Sequence, residues 1–104
     1  MNEPGLYPFE VAGPAQDVVG LAGDRPVYLT LDVDVLDPGV LPDVQTPQPG
    51  GCSYKELVTA LALFRESNLV GADIVEFCPR GPHPSAGSAL VAELVRELAL
   101  LLAR

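Results

Sequence analysis

Two aspartates, Asp32 and Asp34, stand two residues apart at the end of an apolar stretch of the sequence. If that stretch forms a strand, both side chains point to the same side, with their Cα atoms about 6.6 Å apart. Two carboxylates so close repel each other unless a cation lies between them, and oxygen-only ligands favour magnesium, calcium or manganese. The pattern by itself is equally compatible with a metal site and with a pair of solvated loop acids.

The residues before these acids predict the strand that positions them. Apolar side chains recur at every second position from Val27 to Val35, which indicates a β-strand. Both faces of this strand are fairly apolar up to Leu31, as is typical of a strand inside a parallel sheet. The acids occur only at its carboxyl end, which is where open α/β sheets bind their ligands.

A long loop, residues 36–51, follows the strand and is rich in proline and glycine. Loops of this length in a small domain are usually functional. The sequence from Ser53 to Glu56 is a capping box, which predicts a helix that begins there and runs to about Glu66. Cys52 and Leu57 are placed to form the hydrophobic contact that accompanies such a cap.

The remaining elements complete an α/β pattern. A second buried strand is predicted over 69–76, and a final, mostly apolar helix over about 86–103. In the lead-in, residues 1–26, two helical turns are predicted over 15–21, with Val18, Val19 and Ala22 facing inward. The order strand, helix, strand, helix predicts an α/β fold with a parallel sheet of two to three strands and flanking helices.

The composition limits the partners of this chain. Its 104 residues carry 14 acids and 6 bases, a formal net charge of −8. Neither nucleic acid nor an anionic membrane surface suits that balance, whereas metal ions and guanidinium compounds do. The 48% apolar content is high for such a short chain and indicates surfaces that a larger domain or another subunit covers. Cys52 and Cys78 have no zinc-like spacing, and no signal peptide is visible, so a cytoplasmic location is expected.

Two other kinds of acid-bearing loop were compared with the sequence. An EF-hand loop needs an oxygen ligand at Leu36 and a glycine at Asp37, so this pattern fails. A haloacid-dehalogenase-like phosphotransferase also begins with an apolar strand followed by Asp-x-Asp. That interpretation would make Asp32 a nucleophile and needs a lysine after the core strands, but Lys55 is the sole lysine and lies in the first predicted helix.

Two longer stretches resemble the ureohydrolases, the family of arginase, agmatinase and formiminoglutamase. The run from Leu31 to Pro38, with Thr46-Pro47-Gln48-Pro49-Gly50-Gly51 after it, resembles the third metal-binding signature of that family. The run from Gly71 to Glu76 resembles the strand that ends in the family's substrate-reading glutamate. The resemblance covers residues 27–104 and implies the C-terminal segment of a three-layer α/β/α arginase-like fold.

The resemblance also implies roles for individual residues. Asp32 and Asp34 match ligands of a binuclear manganese site, Asp32 bridging both ions. Glu76 matches the glutamate that pairs with the substrate guanidinium, the alternative being a surface acid at the end of a strand. Asp37 is expected to organise the turn at Pro38. Asp73 is either a residue that supports the metal ligands or an aspartate satisfied by nearby backbone. The implied reaction is manganese-dependent hydrolysis of a guanidino compound, such as arginine or agmatine, to urea and an amine.

The sequence also departs from the family. Two further signatures, Gly-Gly-Asp-His and Asp-Ala-His-x-Asp, do not occur in residues 1–26, and His83 in its proline-rich turn matches no ligand and is expected to face solvent. The segment 42–47 replaces the usual Pro-Gly-Thr-Gly-Thr-Pro, and Cys78 stands where asparagine is common. We therefore expect no hydrolysis by this chain alone, and we expect it to associate with a second copy or with the missing N-terminal portion. A non-catalytic oligomerising module with the same fold is the alternative.

Overall fold

The computed structural model describes residues 12–82 and 85–103. Two strands and three α-helices lie within these residues, with a short 3-10 turn after the first strand and another after the second helix. In chain order they are α1 (Ala12–Ala22), β1 (Pro26–Asp32), the turn Val33–Val35, α2 (Tyr54–Ala62), the turn Leu63–Glu66, β2 (Asn68–Val75) and α3 (Ala86–Ala103). The predicted order of strands and helices is confirmed.

The two strands form a parallel sheet, as predicted. Pairing begins at Pro26 with Asn68 and ends at Asp32 with Val75, so both strands finish at the same edge. A register shift between Val27 and Tyr28 leaves Val70 without a partner in β1. The acids at the ends of β1 and β2 are therefore brought to one edge of the sheet.

Helices α2 and α3 pack against one face of the sheet. The core consists of apolar side chains from that face, from the two helices and from the loop after β1. Its most buried members include Leu31, Val33, Leu36, Leu41, Val44, Cys52, Leu57, Leu61, Leu69, Leu94, Leu98 and Leu101. Burial of this set, at roughly 25 cal/mol per Å² of apolar surface, is the main stabilising contribution to the fold.

The opposite face of the sheet is open within the described residues. Tyr28 is 61% exposed, and Thr30 and Asp32 on the same face are exposed as well. The smallest principal extent, 18 Å against 42 and 37 Å, fits one sheet and one layer of helices. The expectation that both faces of β1 are buried up to Leu31 is therefore wrong for this chain, because no described element packs on the second face.

The bounds of β2 differ from the prediction by one residue at each end, and larger differences occur in β1 and in the second helix. β1 ends at Asp32 and not at Val35, because the amide of Asp34 donates to Oδ1 of Asp32 and the chain turns. The second helix changes to a 3-10 turn at Leu63. The capping box is confirmed: the Ser53 hydroxyl accepts from the amide of Glu56, whose carboxylate accepts from the Ser53 amide.

The first helix is longer than predicted and is oriented differently. It covers Ala12–Ala22 and packs beside α2 and the turn that follows α2. Val18 is 50% exposed, so its predicted inward orientation is wrong, whereas Val19 and Ala22 are partly buried. None of the helices in the described part of the chain combines the length and the apolar character needed to cross a bilayer.

Candidate metal and substrate site

The end of β1 is a tight turn that holds two carboxylates side by side. The amide of Asp34 donates to Oδ1 of Asp32 at 3.1 Å, and the amide of Leu36 donates to the carbonyl of Val33 at 3.1 Å. Val33 between the two acids is fully buried and anchors the turn in the core. Asp32 is exposed and Asp34 is half-buried, so both carboxylates remain accessible from the sheet edge.

The neighbouring acids raise the pKa of Asp34. A hydrogen bond with the Asp32 carboxyl group raises the pKa of Asp34 above its ordinary value, as do partial desolvation and the negative charge of Asp32. The charge of Glu76 raises the same pKa further. Acidic side chains from the ends of two neighbouring strands therefore lie at one edge of the sheet, where their negative charges act on Asp34.

The loop after the turn is organised by Asp37. Its Oδ2 accepts from the amide of Gly39 at 2.9 Å, and its Oδ1 accepts from the amide of Gly50 at 3.0 Å. The carbonyl of Asp37 accepts from the amides of Val40 and Leu41. The Asp37 side chain thus binds both the beginning and the end of the loop. Its role is structural, and its hydrogen bonds do not involve Asp32 or Asp34.

Backbone pairing closes this loop directly beside the acids. Leu36 and Cys52 form a parallel bridge, in which the Cys52 amide donates to the Val35 carbonyl at 3.0 Å and the Asp37 amide donates to the Cys52 carbonyl at 2.9 Å. At Gly51 a Cβ would lie 2.6 Å from the Val35 carbonyl oxygen and 2.7 Å from the Asp37 amide nitrogen. Only glycine permits this close approach of two backbone segments, so Gly51 lets the end of the loop pack against the turn that carries Asp32 and Asp34.

Glu76 is the first residue after β2, and its backbone has a φ of 72°. A glutamate in this left-handed region is uncommon and needs support from its surroundings. Phe77 forms an antiparallel bridge with Val44, and the Cys78 amide donates to the Asp43 carbonyl at 2.7 Å. These contacts hold the chain immediately after Glu76, while the glutamate side chain itself is exposed.

Asp73 lies further back on β2, opposite Thr30. Its Oδ2 accepts from the hydroxyl of Tyr28 at 3.2 Å, and its buried Oδ1 has no hydrogen-bond partner among the described residues. Partial desolvation of the Tyr28 hydroxyl, followed by the charge and the hydrogen bond of Asp73, raises the pKa of this exposed tyrosine. A role of Asp73 in supporting the metal ligands stays a prediction.

The structure brings Asp32, Asp34 and Glu76 together but does not complete a metal site from them. Within residues 12–82 and 85–103, no group of three or more His, Cys, Asp and Glu side chains is arranged to hold a metal ion. His83 lies outside the described residues, so its expected solvent-facing position is not addressed. Sequence reasoning gave no role to Asp43, which is 6% exposed and contacts the segment after Glu76. The only feature of the sequence that pointed to Asp43 is its place in the segment 42–47, which departs from the usual family sequence.

Known proteins match both this sequence and this fold. The sequence model of the arginase family matches residues 7–101. The agmatinase of Bacillus cereus is 39% identical over 97 residues, covering 91% of this chain and 33% of that protein. The N(1)-aminopropylagmatine ureohydrolase of Thermus thermophilus is 48% identical over 69 residues, covering 65% of this chain and 23% of that enzyme.

Solved structures of arginase-family enzymes also superimpose on this chain. Proclavaminate amidino hydrolase from Streptomyces clavuligerus superimposes with a TM-score of 0.80 at 35% identity, covering 90% of this chain and 31% of that one. Arginase from Bacillus subtilis superimposes with a TM-score of 0.73 at 31% identity, covering 90% of this chain and 33% of that one. The chain thus spans about a third of the length of these relatives.

Proposed function

Because the chain belongs to the arginase family, we propose that it is the segment of a manganese-dependent ureohydrolase that supplies two metal ligands and one substrate-binding carboxylate. The proposed reaction is hydrolysis of a guanidino compound, such as arginine or agmatine, to urea and an amine. The observation that carries this proposal is the parallel pairing of β1 and β2, which ends at Asp32 with Val75 and so brings Asp32, Asp34 and Glu76 to one edge of the sheet. Acids from two strand ends therefore share one small region.

Asp32 and Asp34 are the residues that would hold the metal. The two residues are joined by the bond from the Asp34 amide to Oδ1 of Asp32, and the charge of Asp32 contributes to the raised pKa of Asp34, so a divalent cation between the carboxylates would relieve their repulsion. Carboxylate oxygens suit a hard cation such as manganese. Such a cation supplies Lewis-acid chemistry, lowering the pKa of water and polarising the guanidino carbon. Asp37 and the Leu36–Cys52 bridge hold the two ligands in place.

Glu76 is proposed to bind the guanidinium group of the substrate. A carboxylate pairs with this planar cation through two parallel hydrogen bonds, which orients the cation as well as attracting it. The position of Glu76 on the neighbouring strand end suits this role, since a guanidinium held there would face the metal-binding aspartates. Its side chain is exposed, so a substrate can reach it.

The chain alone is proposed to be inactive. Two acids bind a divalent cation weakly, because affinity rises with the number and rigidity of the ligands. We propose that a further polypeptide segment completes the site, either the missing N-terminal portion of the fold or a second copy of the chain. In the described residues the sheet has only two strands, so β1 and β2 each keep one unpaired edge for such a segment. A cytoplasmic location is proposed from the two free cysteines.

One observation favours a second function, that of a non-catalytic module that oligomerises. Several large apolar side chains are more than half exposed, and exposed apolar surface of this kind marks interaction sites. They are Leu21 at 76%, Val70 at 60%, Leu100 at 55% and Val95 at 54%. A stable homo-oligomer that binds no manganese, found by light scattering together with metal analysis, would favour this second function. The phosphotransferase alternative loses support, because Lys55 is exposed on α2 and the family is that of arginase.

A chimera tests the proposed function. In the agmatinase of Bacillus cereus, the segment that matches this chain is replaced by residues 27–103, and urea release from agmatine and arginine is measured with added manganese. We expect the chimera to release urea from at least one of the two compounds and the purified 104-residue chain to release none. Turnover by the isolated chain would contradict the expected inactivity.

The controls separate folding from chemistry. The chimera with Asp34→Asn should fold and lose urea release, whereas Lys55→Gln, at an exposed position on α2, should leave it unchanged. A chimera that folds and binds manganese but hydrolyses no guanidino compound would count against the proposed function.

A further inference from the structure

The segment after Glu76 is held by a part of the loop that lies far away in sequence. Phe77 pairs with Val44, and the Cys78 amide donates to the Asp43 carbonyl at 2.7 Å. We call this pairing of residues 43–44 with residues 77–78 the clamp. Glu76 lies between the last residue of β2 and the clamp. The clamp therefore limits the backbone conformations that Glu76 can adopt.

The clamp itself rests on the beginning of α3. Asp43 is 6% exposed, and a Cβ added to Gly87 would lie 2.7 Å from its Oδ1 and 2.9 Å from its Cγ. The carboxyl group of Asp43 therefore packs directly on the backbone of the first turn of α3. A negative charge at a helix N-terminus is favourable there, because the first amides of the helix carry partial positive charge.

The loop residues on either side of Asp43 give it little freedom to move. Leu41 is fully buried and Val44 is 2% exposed. Leu41 also contacts the start of α3, since its Cδ1 lies 3.1 Å from the Cβ position of Gly87. A displacement of the Asp43 side chain must therefore move the backbone of the clamp, including the carbonyl that binds Cys78.

We propose that Asp43 is a positioning residue for Glu76. Its buried side chain, seated against Gly87, holds the clamp, and the clamp holds Glu76 in the left-handed conformation at the edge of the sheet where β1 also ends. A residue other than glycine leaves this conformation when its surroundings no longer impose it. The inference rests on the proposed function only in the assumption that Glu76 contacts the substrate.

The test measures the Glu76 backbone in the 104-residue chain by NMR. The one-bond Cα–Hα coupling of Glu76 distinguishes positive from negative φ, and the amide shifts of Phe77 and Cys78 report the clamp. With Asp43→Ala we expect the coupling to change to the value of negative φ and the Cys78 amide signal to shift. Ser67→Ala is the matched control, since Ser67 is also buried and its hydroxyl donates to the Phe64 carbonyl at 2.8 Å.

A second variant tests the same contact from the helix side. Gly87→Ala places a methyl group against the Asp43 carboxyl group, so we expect the Glu76 coupling to change as it does in Asp43→Ala. In the double variant Asp43→Ala with Gly87→Ala, the methyl group fills the vacated space, and the coupling should return toward that of the unmodified chain. If Asp43→Ala does not fold, Gly87→Ala decides the question alone.

The inference is overturned if the Glu76 coupling stays unchanged in both single variants, or if Ser67→Ala changes it equally. The coupling is measured without substrate or metal. A chimera that releases no urea would therefore count against the proposed function and leave the role of Asp43 intact, so the two failures are distinguishable.

Discussion

The ends of the two strands carry acids at the same edge of the sheet, but they are built in different ways. At the end of β1, the bonds that place Asp32 and Asp34 come from neighbouring residues, with the turn closed by Asp34 to Asp32 and by Leu36 to Val33. At the end of β2, Glu76 is followed by the clamp, in which Phe77 pairs with Val44 of a distant loop. The turn that carries the proposed metal ligands is thus formed by local bonds and only supported by the Leu36–Cys52 bridge, whereas the proposed substrate ligand is positioned by a long-range contact.

The largest expected effect is at Gly51, which packs against the end of β1. In Gly51→Ala the methyl group would meet the Val35 carbonyl oxygen at 2.6 Å, and backbone atoms cannot move aside as a flexible side chain can. Such overpacking should lower the free energy of unfolding by about 3 kcal/mol. Urea denaturation followed by circular dichroism measures the change.

A glycine in open surroundings provides the control for that variant. Gly20 lies in α1, where a Cβ would have nothing within 4 Å, so Gly20→Ala should be neutral or stabilise the helix by up to about 1 kcal/mol. Equal effects of the two substitutions would show that the end of β1 is less tightly packed than its backbone contacts imply.

The second prediction compares how much the acids at the two strand ends contribute to the affinity for Mn²⁺. Asp34→Asn removes one of the two proposed ligands and should weaken binding of Mn²⁺ by about tenfold or more. Glu76→Gln removes only a nearby charge and should weaken binding less than about threefold. Electron paramagnetic resonance of free Mn²⁺ at millimolar concentration measures both. An equal loss in both variants would mean that Glu76 belongs to the metal site.

The same variants give a pH dependence. Because the Asp32 carboxyl group raises the pKa of Asp34, lowering the pH through that raised pKa should weaken Mn²⁺ binding, since protons compete with the metal. In the metal-free chain the sign for stability is opposite. The folded chain binds this proton more tightly than the unfolded chain, so the contribution of Asp34 to stability increases as the pH falls. Asp34→Asn should lose both dependences.

The smallest effect concerns the two cysteines, one beside each strand end. Cys52 is fully buried in the bridge with Leu36, and burial, with the nearby charge of Glu56, raises the pKa of its thiol. Cys78 is exposed in the clamp. We expect a thiol reagent to label Cys78 in the native chain and Cys52 only after unfolding, as measured by mass spectrometry of the labelled peptides. Rapid native labelling of Cys52 would show that the bridge opens readily.

The features that follow from neighbouring residues could be predicted from the sequence. The capping box needs only Ser53 and Glu56, and the parallel sheet follows from the alternation in β1 and the order of elements. The grouping of two aspartates was also predictable, although its cause was not. The Asp32 side chain accepts a backbone hydrogen bond and so ends the strand, a competition between side chain and sheet that alternation does not reveal.

The features that depend on distant contacts could not be predicted in this way. The left-handed backbone at Glu76 lies directly before the pairing of Phe77 with Val44, a residue of a distant loop, and no local residue pattern indicates it. Asp43 stood out only as a departure from the usual loop sequence, while its burial depends on where α3 begins. Val18 and Tyr28 are exposed because no described element packs over them, and the composition does not indicate which surfaces are covered.

The contacts of Asp37 and Cys52 turn the loop after β1 into a closed ring with a free tip. The Gly50 amide donates to Oδ1 of Asp37, and residues 45–49, which directly precede Gly50, are all exposed. Insertions and replacements at the tip leave the closing bonds in place, because the closing contacts are made elsewhere. The sequence of this tip, which begins next to the clamp, can therefore vary while the backbone that positions Asp32 and Asp34 stays the same.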